Sequence, residues 1–567
     1  MSCHFYVGES HVPKYNFCNS TINQLMVSPK IRYPYPLVRV SNLTEQKLPK
    51  LTQSLQLKGN PFEHYVAEQE PNIAEYAVKP PYFEAIDGRV SNTSSFILFG
   101  DRGAGKSATR LTIFKQVWKM KSQGKEVPLV VNLVDFSSVV AGKSINGLSE
   151  KALIQEVSFV VIESILTWLS SLEEEDRRIY LEALDDSEKN LCYELLRDFY
   201  LSRPEARRAK SASDAMVLFN QAFLAKSQMW VSRKWDRIAE LIGACADILA
   251  KRVASEADVA SSVTNAIRVD PADFDSVVIM RRLVTLAKIF AFTGIVILVD
   301  KVDETEATIN SVDRTAELVH PLLAKVQLLE VEGFSWVFFL WSQTKYVFEG
   351  EKYPARLDKI GHATVQWDDK FFEEMLNKRV IFYSDKRFGL SGLFESDQNV
   401  GSILEGLIRV SMRSPREMIR LLDVIIREHD VEYASQDSPI LLTEESIQNG
   451  IDKYVTDTIT TVYGERLLAQ MFRLNLLTFT NKDVQSTFRV GAQSARTRIQ
   501  SWESAGIIKH IGTRAAEGAL GGKPANEYRI VDARVERVMS RQLIRYENPP
   551  QEEDGYEETA LEESGAE

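Results

Sequence analysis

The chain has 567 residues, of which 44% are apolar and 26% charged, with a formal net charge of −11; this length and composition are typical of a globular protein of several domains. Its four cysteines (Cys3, Cys18, Cys192 and Cys245) are far apart in sequence and include no C-x-x-C pair, which argues against a disulfide framework and a zinc site and favours a reducing, cytoplasmic location. The N-terminus has no basic region followed by an apolar core, and the longest apolar runs, such as residues 336–341, are much shorter than a bilayer span, so we expect neither a secretion signal nor a membrane anchor.

The first strongly patterned part of the chain alternates between strands and a helix. Residues 60–87 contain only short helical stretches broken by prolines. A buried strand is predicted at 95–99, a glycine-rich loop at 100–105 and a helix from 106 to about 123. A second buried strand is predicted at 128–136.

A long helical interval follows. The next strand of similar quality begins at residue 295, and the interval from 137 to 293 is too long for one crossover connection. Its apolar periodicity predicts helices at 152–172, 181–201, 215–225 and 235–254. We therefore expect an inserted helical subdomain.

Strands and helices alternate again after the insertion. A helix is predicted at 276–292, a strand at 295–299, a helix near 313–329 and a strand at 334–341. This alternation predicts a parallel, doubly wound α/β sheet. Beyond residue 367 the pattern becomes helical, and we interpret the helices predicted at 368–384, 403–412 and 414–429 as a lid.

The glycine-rich loop matches G-x-x-x-x-G-K-[ST] in full, between a strand and a helix. Its backbone amides and the following helix N-terminus would bind a polyphosphate. Lys106 would contact the β- and γ-phosphates, and the Ser107 hydroxyl would ligate Mg²⁺. The predicted nucleotide cradle consists of Gly100, Asp101, Arg102, Gly103, Ala104, Gly105, Lys106, Ser107 and Ala108.

A carboxylate for the metal follows the strand at 295–299. Asp300 ends this strand and is the predicted Mg²⁺ residue. The segment from Asp300 to Glu304 resembles the D-x-x-D-E form of the Walker B element of NACHT and other STAND-class ATPases. Lys301 stands where many ATPases have a glutamate, so the resemblance implies that Asp303 or Glu304 activates water. Both acids also fit a simple helix-capping role.

Three further polar positions resemble sensor and finger residues of AAA+ and STAND assemblies. The resemblance implies that Gln343, in the loop after the strand at 334–341, senses the γ-phosphate; the loop fits a solvated turn equally well. Arg356 is the candidate arginine finger, and an ordinary surface arginine is the alternative. Arg416 resembles a sensor-2 arginine at the start of a lid helix, with an ordinary helix N-terminal residue as the alternative. No N-K-x-D or T-K-x-D element follows the metal strand, which favours ATP over GTP.

The C-terminal module has its own charge balance. Residues 481–541 contain eleven Lys or Arg and six Asp or Glu, a balance of +5, whereas residues 547–567 are acidic and lack Lys and Arg. Helices predicted at 466–477, 481–487 and 493–505, followed by a hairpin, indicate a winged helix, which would contact DNA or dock a protein. The candidate nucleic-acid contacts are Gln493, Ser494, Arg496, Arg498 and Gln500 on the third helix, with Arg514 and Lys523 in the wing.

The motifs FILFGDRGAGKSATR, ILVDKVDET, ARLDKI and SPREMIRLL, with a terminal winged helix, resemble STAND and origin-recognition-like ATPases of the AAA+ grade. The segment NPFEHYVAEQEPNIAEYAVKPPYFEAI also looks like the lead-in of a bacterial group of stand-alone P-loop ATPases. The resemblance covers roughly residues 60–540, and of these motifs the Walker A match is the specific one. Lys301 departs from the family pattern, and no nuclease, protease or TIR motif is visible, so slow hydrolysis or switching with little turnover is expected.

The sequence therefore predicts an α/β P-loop NTPase with a doubly wound parallel sheet, a large helical insertion, a helical lid and a C-terminal winged helix. The leading hypothesis is an ATP- and Mg²⁺-dependent switch that acts through homo-oligomers, an effector protein or DNA, in a setting such as phage defence. The alternatives are an ATP-responsive DNA-binding regulator of transcription or replication, and a partner-docking ATPase that binds no nucleic acid. The expected divisions are 1–59 (lead-in), 60–136 and 276–367 (ATPase core), 137–275 (helical insertion), 368–442 (lid), 443–541 (winged helix) and 542–567 (acidic, disordered tail).

Overall fold

The computed structural model describes residues 51–70, 72–140, 145–204, 207–208, 274–309, 311–434, 441–514 and 524–544. The helices predicted at 215–225 and 235–254, and the candidate wing residue Lys523, lie outside the described residues. By their contacts the described residues form two units, which span 51–454 and 455–544.

A five-stranded parallel sheet lies at the centre of the first unit. Its strands are β1 (Phe96–Gly100), β2 (Leu129–Leu133), β3 (Ile295–Val299), β4 (Phe334–Trp341) and β5 (Gly361–Thr364). The strand order is β2-β3-β4-β1-β5, and every neighbouring pair is parallel. The parallel α/β sheet expected from the sequence is confirmed. The strand β5 was not expected, because it is short and its residues alternate between exposed and half-buried.

The central strands are buried along their whole length. Every residue of β1 and β3 is buried, as is all of β4 except its last residue. Such continuous apolar runs are typical of a parallel sheet that is covered on both faces. Since β4 pairs with both β1 and β3, the ends of the Gly100 strand and the Asp300 strand lie at the same edge of the sheet, one strand apart.

Helices surround the sheet and continue into residues 368–434, the region that the sequence predicts as a lid and that is called the lid below. The helices predicted at 106–123, 276–292, 368–384, 403–412 and 414–429 are confirmed with boundary shifts of a few residues. The helices of the first unit are α1 (Leu51–Ser54), α2 (Ile73–Tyr76), α3 (Pro81–Ser91), α4 (Lys106–Ser122), α5 (Ser137–Val140), α6 (Glu150–Ser171), α7 (Glu174–Glu182), α8 (Asp186–Leu195), α9 (Ser276–Ile289), α10 (Val312–Leu323), α11 (Val326–Leu329), α12 (Thr344–Glu349), α13 (Asp369–Tyr383), α14 (Val400–Val410) and α15 (Pro415–Glu432). Short 3-10 turns lie at Ala67–Gln69, Val302–Glu304 and Leu390–Leu393.

Two single-helix predictions were wrong. The helix expected at 181–201 is divided into α7, α8 and a π-helical turn at Leu196–Leu201, because Asp185 starts a new helix with a capping box. The helix expected at 313–329 is divided into α10 and α11 around residues 324–325, and α10 contains Pro321. Apolar periodicity alone does not locate such interruptions.

The helix predicted at 152–172 is confirmed as α6, although its high apolar content was not noted from the sequence. Within the described residues, α6 is long and apolar enough to cross a membrane by length and composition, with a mean hydropathy of 1.6 over its best window. However, 78% of that window is buried inside the protein, against β2, α9 and the π-helical turn. The helix therefore packs as a core helix of the first unit.

The second unit combines helices with a three-stranded antiparallel sheet. The helix α16 (Glu444–Leu474) contains residues of both units and is interrupted at Gly464, whose φ is +71°. The remaining elements are β6 (Thr478–Thr480), α17 (Asn481–Phe488), α18 (Ala492–Ser504), β7 (Ile508–Arg514), β8 (Ala525–Ile530) and α19 (Ala533–Arg541), with the strand order β6-β8-β7. Trp502 is fully buried and contacts Phe479 and Phe488 in the core of this unit. The helices α17 and α18 and the strand β8 were expected, whereas β6 and α19 were not.

Candidate nucleotide-binding site

The glycine-rich loop joins β1 to α4 by a tight turn that only glycine fits. Gly103 has a φ of +79° and Gly105 a φ of +92°, both in the left-handed region. The amide of Ala104 donates to the carbonyl oxygen of Asp101 at 3.2 Å, which closes the turn. A β-carbon on Gly103 would lie 2.6 Å from Ser414 Oγ. The loop is therefore curled and in close contact with the start of α15.

Lys106 is folded back onto this loop. Its side chain is buried, and Nζ donates to the carbonyl oxygens of Gly100 at 2.7 Å and Asp101 at 3.0 Å. Burial lowers the pKa of Lys106, and the nearby Asp303, Asp300 and Asp101 oppose that shift. The ammonium group is thus held by weak neutral acceptors, which a phosphate would replace with charged ones.

Asp300 directly follows β3 and forms a buried ion pair with Arg110 of α4. Its Oδ2 accepts from Arg110 Nε at 2.9 Å, and both side chains are almost completely buried, at 3% and 2% exposure. The same guanidinium donates to Asn132 Oδ1 at 2.9 Å and to Glu68 Oε1 at 2.7 Å. Arg110 was not singled out in the sequence, although it is four residues beyond Lys106 in the motif. It fixes the carboxylate of Asp300 at the edge of the sheet.

A second basic–acidic pair joins the loop to the turn after β3. Arg102 Nε donates to Asp303 Oδ2 at 3.0 Å, and Arg102 Nη2 donates to the Asp303 carbonyl oxygen at 3.3 Å. The guanidinium also lies 4.8 Å from the ring centre of Trp341, at the end of β4. Asp303 is buried and Glu304 is half exposed. Of the two predicted carboxylates, Asp303 therefore lies in the more enclosed position.

Lys301 lies between Asp300 and Asp303 in the sequence. Its φ is +59°, an uncommon conformation for a residue other than glycine. Its Nζ lies 3.0 Å from Glu68 and 3.9 Å from Glu304. Glu68 therefore accepts a hydrogen bond from Arg110 and forms an ion pair with Lys301, and it connects the segment before β1 to the turn after β3.

These groups open into one cavity of about 860 Å³, a volume within the usual range for small-molecule sites. Its lining includes the loop and the first turn of α4, the turn after β3, the start of α15 and the segment 64–82. Lys106, Ser107, Asp300, Asp303 and Glu304 all contribute to this lining.

Residues 60–82 form one wall of the cavity and are attached to the lid by buried carboxylates. Glu70 is 1% exposed and accepts from Arg379 of α13, from the Tyr76 hydroxyl, and from the Tyr383 hydroxyl at 3.1 Å. The second attachment is at Asp423 of α15, which is fully buried and accepts hydrogen bonds from the Asn60 amide and the Tyr65 hydroxyl.

The tyrosines at these attachments are held in their neutral form. Burial raises the pKa of Tyr76, and the nearby Arg379 opposes that shift. Burial and the hydrogen bond to Asp423 raise the pKa of Tyr65 to about 12. Both hydroxyls therefore remain hydrogen-bond donors to buried carboxylates at neutral pH. Nothing in the sequence pattern of residues 60–82 indicated this role.

The lid also touches the glycine-rich loop directly. The amide of Arg416, at the N-terminus of α15, donates to the Gly103 carbonyl oxygen at 3.3 Å, and Arg416 lines the cavity. Trp367, which the sequence analysis missed, donates from Nε1 to the Ala104 carbonyl oxygen at 2.9 Å. No signal in the sequence pointed to it, because the strand β5 that precedes it was not expected.

The predicted sensor Gln343 and the predicted arginine finger Arg356 are not among the residues that line this cavity. Gln343 is exposed at the start of α12. Arg356 is also exposed, and it forms a two-pronged pair with Asp358, with Nε–Oδ1 at 2.8 Å and Nη2–Oδ2 at 2.7 Å. This pair lowers the pKa of Asp358 to about 2.

The residues of a Mg²⁺ site are compatible with this geometry. Within the described ranges, no group of three or more His, Cys, Asp or Glu residues is arranged to hold a metal. A P-loop metal needs only one hydroxyl and one carboxylate from the protein, since phosphates and water supply the other ligands. Ser107 and Asp300 provide these two groups in one cavity.

In the second unit, the predicted nucleic-acid residues differ in their surroundings. Gln493, Ser494, Arg496 and Gln500 of α18 are exposed. Arg498 is half-buried, with its guanidinium 4.9 Å from the ring centre of Phe488. A further predicted contact, Arg514 of β7, pairs with Glu527 of β8.

No family model and no curated protein matches this sequence. Two proteins of Aeropyrum pernix are among the solved structures that are similar to the chain. The ORC1 protein of Aeropyrum pernix in complex with DNA is 11% identical, with a TM-score of 0.33 over 83% of this chain and 96% of that one. The ORC2 protein of Aeropyrum pernix (ADPNP-ADP complexes) is 9% identical, with a TM-score of 0.38 over 83% of this chain and 98% of that one. TM-scores this low establish neither a shared fold nor a shared function.

Proposed function

We propose that this chain is an ATP- and Mg²⁺-dependent switch ATPase of the STAND/AAA+ type. The observation that carries the proposal is the convergence of the glycine-rich loop, Lys106 and Asp300 on one cavity of about 860 Å³. A curled loop ahead of a helix presents backbone amides to phosphates, and an acid at the end of a nearby strand is suited to the metal.

The proposed roles follow from the chemistry of each group. Lys106 exchanges its carbonyl acceptors for the β- and γ-phosphates, and the amides of residues 101–108 bind the remaining phosphate oxygens. Ser107 and Asp300 hold Mg²⁺, which supplies positive charge to the phosphates when bound. Asp303 is the better candidate for activating water, because it is more enclosed than Glu304.

The switch itself would depend on contacts between the loop and the lid. Arg416 and Ser414 at the start of α15 lie against Gly103, so a phosphate that enters the loop also meets the lid. Arg416 is then the group that reports the nucleotide state. Arg356, which is exposed and paired with Asp358, is proposed to reach the nucleotide of a neighbouring copy in an oligomer.

For the second unit we propose a winged helix that contacts DNA, in a cytoplasmic setting such as phage defence. Its helices and its antiparallel sheet support that assignment, with α18 as the recognition helix. The exposed side chains of Gln493, Arg496 and Gln500 are suited to base edges and phosphates. This surface also favours the second candidate function, an ATP-responsive DNA-binding regulator.

Calorimetric titration of the full chain with ATP tests the nucleotide site. We expect Mg²⁺-dependent binding that is lost in Lys106→Ala and weakened in Asp300→Ala. Lys119→Ala is the matched control, because Lys119 is an exposed lysine on the same helix. Absence of Mg²⁺-dependent binding by the unmodified chain would refute the proposal.

Duplex DNA separates the candidate functions. DNA that stimulates ATP hydrolysis supports the switch, whereas salt-dependent DNA binding that persists in Lys106→Ala supports the regulator. If DNA has neither effect, the chain is a partner-docking ATPase. Arg496→Ala should weaken DNA binding and reduce its salt dependence, while Arg178→Ala, at an exposed pair in the first unit, should not.

A further inference from the structure

The pair between Arg102 and Asp303 joins two parts of the nucleotide site that have different tasks. Arg102 belongs to the phosphate-binding loop, four residues before Lys106, and Asp303 belongs to the turn after β3. Both line the same cavity as Lys106. Their side chains are joined by the 3.0 Å contact from Nε to Oδ2.

The surroundings of Asp303 place it near the expected phosphates. Asp303 lines the same cavity as Lys106, and its charge opposes the lowering of the Lys106 pKa by burial. Asp300 has its own buried partner in Arg110, so its charge is already balanced. The charge of Asp303 is balanced by Arg102, whose side chain is 41% exposed.

A triphosphate would compete with Asp303 for this arginine. A γ-phosphate carries more negative charge than a carboxylate and offers several oxygens to the planar guanidinium fork. Asp303 and a γ-phosphate repel each other, so the arginine cannot serve both equally well. ADP has no γ-phosphate and would leave the pair with Asp303 in place.

We propose that Arg102 exchanges Asp303 for the γ-phosphate when ATP binds, and so distinguishes ATP from ADP within a single chain. This inference rests on the proposed ATPase function. Departure of Arg102 frees the Asp303 carboxylate to accept a proton from the attacking water. The water oxygen then bonds to the γ-phosphorus while the bond to the bridging oxygen breaks, and ADP leaves with that electron pair.

Binding of Mg²⁺ with either AMP-PNP or ADP tests the exchange. Hydrogen bonds to charged groups contribute about 1.5–3 kcal/mol, which corresponds to about 10–150-fold in affinity; because Arg102 gives up Asp303 in return, we expect the lower end. Arg102→Ala should therefore weaken AMP-PNP binding about tenfold and change ADP binding by less than about threefold. Arg102→Lys keeps the charge without the planar fork, so its affinity for AMP-PNP should lie between that of the unmodified chain and that of Arg102→Ala.

Fluorescence provides a readout that a structural role for Arg102 would not change. The guanidinium lies over Trp341, so its departure should alter the emission of this tryptophan. The emission of Trp341 is the part of the fluorescence that is absent in Trp341→Phe. This emission should change when AMP-PNP binds and not when ADP binds, and the change should be absent in Arg102→Ala. Arg178→Ala, which removes an exposed arginine from a carboxylate pair, is the matched control.

The outcomes separate the exchange from the function on which it rests. Equal loss of AMP-PNP and ADP affinity in Arg102→Ala, or no loss of either, overturns the exchange while leaving the ATPase function intact. Failure of the unmodified chain to bind either nucleotide in a Lys106-dependent way overturns both. Thermal unfolding of each variant checks that the fold is retained, and Arg102→Lys carries the test if Arg102→Ala does not fold.

Discussion

Arg110 Nε lies 2.9 Å from a carboxylate oxygen of Asp300, and solvent reaches almost none of either side chain. Arg110 lies in α4, after the glycine-rich loop, and Asp300 follows β3, which β4 separates from β1 in the sheet. Two opposite charges can be buried together because their mutual attraction offsets the hydration that each loses. This pair therefore joins the two halves of the proposed nucleotide site before any ligand is present.

Removal of Arg110 should destabilise the chain strongly. Arg110→Ala leaves Asp300 and Glu68 without their shared cation, and the loss of one partner of a buried pair costs about 3–5 kcal/mol. Chemical denaturation measures the change in the free energy of unfolding. Adding Asp300→Asn to Arg110→Ala should recover part of the loss, because the buried charge is then gone. A loss below about 1 kcal/mol in Arg110→Ala would contradict this account.

The affinity for ATP should depend on the protonation of Lys106. Burial lowers the pKa of this lysine from its ordinary value of 10.5, so it loses its charge at a lower pH than an exposed lysine. The affinity should therefore fall as the pH rises towards 10.5. A guanidinium does not titrate in this range, so the variant Lys106→Arg, which stays charged, should show a flatter pH profile in calorimetry. Parallel profiles for the two proteins would exclude Lys106 as the titrating group.

The same pKa shift affects stability with a defined sign. Between the folded-state pKa of Lys106 and 10.5, the unfolded chain binds more protons than the folded one. The contribution of Lys106 to the free energy of unfolding should therefore increase with pH across this window. Comparison of the unmodified chain and Lys106→Met at several pH values isolates that contribution, and a decrease with pH would contradict the assignment.

An alanine at Gly103 should damage both the loop and its contact with the lid. The left-handed backbone costs a residue with a β-carbon about 1–2 kcal/mol, and that atom would also lie 2.6 Å from Ser414 Oγ. ATP affinity should fall about tenfold or more, since the loop amides no longer converge. Gly88→Ala is the control: Gly88 lies inside α3 with nothing within 4 Å, and the change should stabilise by about 0.5–1 kcal/mol. Equal effects of the two changes would rule out this explanation.

The contact between Arg379 and Glu70 should be essential for the cavity wall. Arg379→Ala leaves Glu70 buried without its cation, which should lower the free energy of unfolding by about 3–5 kcal/mol. Because residues 60–82 then lose an attachment to α13, ATP binding should also weaken. Lys378→Ala is the matched control, because the adjacent Lys378 forms an exposed pair with Glu374 whose loss costs about 1 kcal/mol or less. Thermal unfolding and calorimetry together measure both effects. Similar losses in the two variants would show that the buried pair has no special role.

The sequence predicted the elements whose residues act through local pattern. The strands β3 and β4 have the bounds that their apolar runs predict, because continuous apolar runs are typical of buried parallel strands. Gly103 and Gly105 were recognised by spacing, since the turn needs residues without a β-carbon. What the pattern could not show was pairing over long separations: Arg102 and Asp303 are 201 residues apart, and Arg379 and Glu70 are 309 apart.

The cavity wall formed by residues 60–82 has a practical consequence for the design of fragments. A fragment that begins at Phe96 would retain the complete Walker A sequence and Asp300. It would nevertheless lack Glu70, leaving Arg379 with no counter-charge in the interior, and it would remove both Asn60 and Tyr65 from Asp423. The smallest autonomous fragment with the proposed ATPase activity should therefore start upstream of residue 60, well ahead of the Walker A motif.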